Sequence, residues 1–186
     1  PQLFELRNDQ LEREPAYRLL ATDGIRFAGR ALIDTNSLIE AQGQREPTTE
    51  NLTLLQDMAQ FQGNFAAMLS ALRGYVSTRN AIFRDYEYEV NLITNDLDWQ
   101  QLQDKRDLLT PSQQALLDSI AVNRDAFLAL PPEIFDILES DRYREDLYLF
   151  TENAVPHADR MQELFNEMTT NQQQQLTTEL AEGRRI

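Results

Sequence analysis

One imidazole, His157, and thirty-one Asp and Glu residues are the side chains from which any acid, base or metal chemistry would have to be built; there is no Cys. Nucleophilic catalysis needs a His base oriented by a carboxylate beside an activated Ser or Cys. Asp159 follows His157, but no Ser stands in a recognisable nucleophile motif. A di-iron bundle needs Glu-x-x-His pairs, and Ala154 stands where the Glu would be. No EF-hand spacing is present, so the carboxylates compose no calcium loop. Gly24 and Gly29 fall within a helical pattern and Gly43 within a turn, so none belongs to a phosphate-binding loop. The sequence therefore predicts a chain without catalytic residues, cofactor or metal.

Some clusters point to binding instead. Arg142, Tyr143 and Arg144 stand together and are the candidate ligand-binding residues, while the neighbouring Asp141, Glu145 and Asp146 predict plain surface ion pairs. Tyr143, Leu147 and Phe150 share one helical face and are expected in the core. Asp85, Glu87 and Glu89 form the acidic side of a helix start, which favours the helix dipole. Trp99 is expected to pack inside a bundle. His157, after Pro156 and between Ala154 and Met161, is expected to be partly buried or to cap a helix; a phosphoacceptor histidine would have to be exposed.

Elements that position these residues follow from composition and period. Six Gly, seven Pro and a wealth of Leu, Ala, Gln, Glu, Asp and Arg favour helix, and no hairpin signal appears. A net charge of −14 excludes nucleic acid and an anionic membrane surface as partners. Lys105 is the only Lys. No apolar run reaches the ~20 residues that cross a bilayer.

The first stretch, about Leu3 to Ala41, carries Tyr17, Leu20, Phe27, Ala28, Leu32, Leu38 and Ile39 at helical spacing, with a kink or fresh start expected near Glu14 because of Pro15. Pro47-Thr48-Thr49 opens a second helix, roughly Thr49 to Thr78. There Leu55, Met58, Phe61, Phe65, Met68, Leu72 and Tyr75 make a heptad-like seam. After a break at residues 77–80, with Asn80 as cap, a third helix is expected to use Tyr86, Val90, Ile93 and Leu97, fading toward Leu109. Thr110-Pro111-Ser112-Gln113 reads as a capping box. Pro131-Pro132 stops or kinks that helix, and another meets Pro156. The last stretch continues through Met161, Leu164, Phe165, Met168 and Leu176 into the polar run Gln172 to Gln175. The expected fold is an all-α, elongated antiparallel bundle of four to six helices with Pro-induced breaks and both termini at one end.

One segment has a family likeness. Leu69-Ser70-Ala71-Leu72-Arg73-Gly74-Tyr75-Val76-Ser77-Thr78-Arg79-Asn80 resembles the RGYLLTG signature of the third type of CHASE domain, the extracytoplasmic sensory domains of bacterial histidine kinases and related receptors. Phe83-Arg84-Asp85-Tyr86-Glu87 is similar to the (Y/F)xxxYE that follows it. The family has Gly where this chain has Arg79, and the chain runs some fifty residues past the family's fourth helix. The resemblance implies a sensor between two membrane helices that feeds a cytoplasmic kinase. Arg73, Gly74, Tyr75 and Thr78 are its motif residues, with structural roles: Gly74 for close helix approach, Arg73 for pairing across helices and Tyr75 for the seam.

The chain opens at Pro1 and closes at Gly183-Arg184-Arg185-Ile186 without a closing turn. The expectation is one extracytoplasmic sensor domain, residues 1–186, excised from a membrane-anchored histidine kinase in the periplasm or outside the cell. It is expected to form a homodimer through helix packing and to answer a small-molecule or protein stimulus, touching membrane only through flanking segments. The ectodomain of a chemoreceptor or cyclase, and a helical scaffold or phosphotransfer bundle, are the alternatives.

Overall fold

Two threonines set the turns at one end of the molecule. Thr48 accepts from the backbone N–H of Asn51, and Thr110 exchanges both bonds of a capping box with Gln113, so a helix must start at each place. In the computed structural model, which describes residues 6–183, these turns join four antiparallel rods. A short helix α1 (Gln10–Arg13) leads in, and Pro15 restarts the chain as α2 (Pro15–Leu19). A π turn, Leu20–Gly24, carries α2 into α3 (Ile25–Gly43), and together they make the first rod. The second is α4 (Thr49–Thr78). A second π turn, Phe83–Tyr88, opens the third rod and runs into α5 (Glu89–Asp104). The fourth is α6 (Pro111–Leu128) followed by α7 (Leu130–Glu139), with Pro131 and Pro132 starting α7 after a one-residue break at Ala129. The chain is thus an all-α helical bundle, with no strand among the described residues.

The core divides into two clusters along the bundle axis. At the end holding the Thr48 and Thr110 turns, Leu38, Leu54, Met58, Phe61, Leu117 and Ile120 are fully buried. In the other half Leu20, Phe65, Leu72, Phe127 and Ile134 pack with Ala28 and Ala31, whose small side chains let the first and fourth rods approach closely. Phe65 bridges the two, with its ring centroid 5.9 Å from Phe61 and 5.3 Å from Phe127.

A fifth rod leaves this bundle. Helices α8 (Glu145–Asn153) and α9 (Val155–Gly183) are nearly continuous, interrupted where Pro156 brings no N–H to the ladder. α8 touches α1, so the described chain enters and leaves the bundle at the same end. α9 has 29 residues, about 43 Å at ~1.5 Å per residue. Its side chains from Val155 to Leu180 are all exposed.

Three expectations are corrected here. Tyr86, Val90, Ile93 and Leu97 face solvent, between 46% and 65% exposed; the third rod buries Tyr88, Asn95, Asp98 and Leu102 instead. Leu147 and Phe150 are exposed as well, because Tyr143 sits in a 3-10 turn and extended Arg144 separates it from α8, so the three share no helix. His157 is exposed rather than partly buried, as are Met161, Leu164, Phe165, Met168 and Leu176 around it.

Candidate functional site

The motif segment closes α4 and turns into the third rod at the end where the chain enters and leaves. Gly74 is required there by contact: a Cβ on it would stand 2.7 Å from the Phe83 ring, so only glycine lets the π turn lie against α4. Tyr75 is buried, its ring edge-on to Phe135 at 5.5 Å, and Tyr88 meets the same Phe135 ring at 5.6 Å. Thr78 returns its hydroxyl to the Gly74 carbonyl and accepts from the Asn80 N–H. Arg73 is exposed and makes no ion pair or side-chain hydrogen bond among the described residues. The cross-helix pairing expected of it comes from its neighbours instead.

Arg79 ends α4 in the left-handed region, φ 56°, a conformation that favours glycine. Two contacts hold it: its guanidinium donates to the Leu138 carbonyl at 2.8 Å and lies 4.1 Å over the Tyr143 ring. Arg84 pairs with Glu139 at the end of α7 and with Asp85, and donates to the Tyr75 hydroxyl at 3.4 Å. Both arginines therefore tie the turn between the second and third rods to the end of the fourth.

The structure distributes the candidate ligand residues rather than converging them. Arg142 spends its charge on Glu145 and lies 5.0 Å from the Tyr148 ring; Arg144 forms a two-bond pair with Asp146 at 2.9 and 2.7 Å. That pairing, outweighing partial burial, holds the Asp146 carboxyl below the usual range. Burial pushes Glu14 upward, but hydrogen bonds from Gln10 and Arg13 and the charges of Arg13 and Arg144 bring it below its ordinary value. Arg142 borders an open cavity of about 600 Å³ with Glu12, Arg18, Glu133 and Asp136; Tyr143 and Arg144 border another of about 230 Å³ beside Tyr17 and Arg79. Of the cations bordering these cavities, Arg18, Arg142 and Arg144 each pair with a carboxylate and Arg79 lies over the Tyr143 ring.

A polar layer between the two apolar clusters has no counterpart in the sequence reading. Arg124 of α6, 5% exposed, donates through Nε to Asn95 Oδ1 at 2.9 Å, pairs with Asp96 and stands 5.4 Å from the Trp99 ring. Asn95 donates on to the Phe61 carbonyl, and Asn64 of α4 donates to Asp98 at 2.7 Å. Across the bundle Asp34, 3% exposed, accepts from Ser119 at 2.6 Å and Arg30 at 3.0 Å. All four rods thus meet through hydrogen bonds at mid-height. Burial, then the charges of Glu89 and Asp96, push the Tyr88 hydroxyl's pKa up, so it stays a neutral phenol beside this layer. Lys105, the single lysine, is used on buried Asp57. The only sequence signal for the layer was polar residues, Asn95 and Asp98, at the spacing of an inward face.

Among the described residues, no group of three or more His, Cys, Asp or Glu side chains is placed to hold a metal ion, and no helix is long and apolar enough to cross a membrane. The class defined by fold and site is an all-α bundle with a polar mid-layer and one projecting helix. No protein-family model, curated protein or solved structure matches the chain, so a family likeness rests on residues 69–87 alone.

Proposed function

We propose that this chain is the extracytoplasmic sensory domain of a membrane-anchored receptor, a histidine kinase in two-component signalling, and that it acts mechanically rather than chemically. The observation that carries the reading is the position of the motif segment: Gly74 against Phe83, Arg79 on Leu138 and Arg84 on Glu139 link the second, third and fourth rods at the end where the chain enters through α1 and leaves through α8. A stimulus that shifts one rod there is passed through the Arg79–Leu138 and Arg84–Glu139 contacts to the rods leading out. Displacements of about an ångström or two suffice when packed elements have two arrangements. Hydrogen bonds through the mid-layer couple all four rods, so they move as a set instead of bending one at a time. Stimulus recognition is then a small-molecule or protein contact on the bundle surface, without a catalytic step.

The test is the reading frame on either side of residues 1–186. Two apolar runs of ~20 residues, the second followed by a kinase module, are expected; a chemoreceptor or cyclase module in that place would correct the output but keep the sensor. Absence of both runs overturns the reading.

A further inference from the structure

The cavity of about 230 Å³ beside Tyr17 is walled by three rods and by the turn that leads out of the bundle. Tyr17 comes from α2, Val76, Ser77 and Arg79 from the end of α4, Leu138 from α7, and Tyr143 from the 3-10 turn before α8. Two further charges border it, and both have partners: Arg144 holds Asp146 through two hydrogen bonds, and Glu14 accepts from the Arg13 guanidinium at 3.0 and 2.7 Å. Arg79 differs from them. It pairs with no carboxylate among the described residues, and its one side-chain hydrogen bond there, from Nη2 to the Leu138 carbonyl, leaves the rest of its donor fork unengaged. Its backbone is singular as well, since no other non-glycine residue among those described has a positive φ. Strained conformations of this kind gather at ligand clamps. Here the strained residue carries a guanidinium already fixed in place by the Leu138 carbonyl and the Tyr143 ring.

We propose that this cavity binds a small monocarboxylate with an apolar tail, and that Arg79 receives the carboxylate. A carboxylate matches the planar fork of a guanidinium and can take two parallel bonds from it. Arg144 and Glu14 are each neutralised by a partner, so the positive charge left over is that of Arg79, and one negative charge balances it. Inorganic phosphate carries more charge than this wall answers. Val76, Leu138 and the rings of Tyr17 and Tyr143 give the tail an apolar surface, and the hydroxyls of Tyr17 and Ser77 are further donors in the same wall. The volume lies below the roughly 300–1,000 Å³ of sites that hold drug-sized molecules, which limits the ligand to a short chain or a single ring.

An occupant of the cavity touches α2, the end of α4 and the turn into α8 together, the segments through which the chain enters and leaves the bundle. That its arrival is the stimulus rests on the sensory reading; that it binds rests on the cavity alone.

Chemical-shift titration of the nitrogen-15-labelled full chain with benzoate, at neutral pH and fixed ionic strength, is the test. Saturable shifts at residues 76–79 and 143–144 are expected. Benzamide, which keeps the shape and loses the charge, should bind about tenfold more weakly or worse, and inorganic phosphate should bind more weakly than benzoate. Arg79→Gln should weaken benzoate about tenfold or more, with far-UV circular dichroism to verify the fold, and Arg79→Lys, which keeps the charge without the fork, should weaken it as well. Ser77→Phe, at an exposed position that can take a ring, fills the cavity and should abolish binding even if the Arg79 variants do not fold. Arg160→Gln removes the same charge from exposed α9 and should change nothing. No saturation in the millimolar range, benzamide or phosphate binding as tightly as benzoate, or unchanged affinity in Arg79→Gln or Ser77→Phe would each overturn the proposal. The flanking reading frame decides the receptor reading separately, so a failure of one is told apart from a failure of the other.

Discussion

Along α4, Met58, Phe61, Phe65, Met68 and Leu72 are closed off from solvent, whereas Tyr86, Val90, Ile93 and Leu97 on the third rod, spaced in the same way, stand in water. Period alone does not separate these helices. What separates them is the opposite face. Behind the α4 stripe lie Gln60, Gln62, Ser70 and Arg73, so only one side can be buried. Behind the third-rod stripe lie Tyr88, Leu92, Trp99 and Leu102, with Asn95 and Asp98 between them, a second face that fills the core and supplies the polar layer. A helix with two usable faces can serve a bundle and a partner at once.

The comparison breaks most directly at Phe65. Phe65→Ala removes a ring held between Phe61 and Phe127 and should cost about 3–5 kcal/mol. Ile93→Ala, in chain dilute enough to be monomeric, should change stability by less than ~0.5 kcal/mol. Urea unfolding of both variants reads the difference, and equal losses would mean that Ile93 is packed.

Next in size is the layer between the clusters. Arg124→Met keeps volume but leaves Asn95 Oδ1 and Asp96 without their donor, and should cost about 2–3 kcal/mol. If the layer fixes which third-rod face turns inward, the variant will also lose dispersion in its NMR spectrum around residues 88–102. A stable, well-dispersed variant would show that apolar packing alone chooses the face.

Gly74→Ala should cost about 1–3 kcal/mol, because the new methyl meets the Phe83 ring at 2.7 Å and the π turn must give. Phe83→Leu in the same chain should recover most of that loss. A double-mutant cycle without coupling would sever the link between the motif glycine and the π turn.

How far the sequence could be read follows the same division. The ends of α4, the capping box at Thr110, the start at Pro15 and the turn at Asn80 were legible because each depends on a few adjacent residues whose backbone needs are local. The inward face of the third rod was not, since either stripe has the right period and only the neighbouring rods decide between them. Both π turns escaped for a related reason: no residue type demands one, and they arise where Leu20–Gly24 and Phe83–Tyr88 adjust to rods already in place. At the candidate site, Gly74 lies against the Phe83 ring and Tyr75 continues the buried stripe of α4, a position its helical spacing makes legible. The bonding of Arg79 and Arg84 to α7 spans too much sequence to be seen in it.

Arg79 sharpens the contrast between local and distant causes. Its left-handed backbone is disfavoured for any residue with a Cβ by roughly 1–2 kcal/mol, and its side chain answers with the Leu138 bond and the Tyr143 ring. Arg79→Ala keeps the strain and loses both contacts, so it should cost about 1–2 kcal/mol. Arg79→Gly loses the contacts but also the strain, and should unfold about 1 kcal/mol later than the alanine variant. Glycine and alanine variants of equal stability would mean that the backbone at this turn relaxes once the side chain is gone.

The smallest effect belongs to the base of the fifth rod, where the bundle ends and exposed helix begins. Asp146 is held below its ordinary value by Arg144, and Glu14 lies below its own as well. A carboxylate depressed in the folded state adds stability that is fully present above its ordinary range and is lost as pH falls through the folded value. Docking of α8 on α1 should therefore be constant from pH 7 to about 5 and loosen below about pH 4. Asp146→Asn should produce the same loosening at neutral pH, by about 1 kcal/mol or less, because the Arg144 partner remains partly in water. Hydrogen exchange of residues 145–153 is the readout, since global melting averages the effect away. Faster exchange there, with α4 unchanged, would establish that the fifth rod is hinged independently of the bundle; protection that rises as pH falls would mean the charge pair opposes docking.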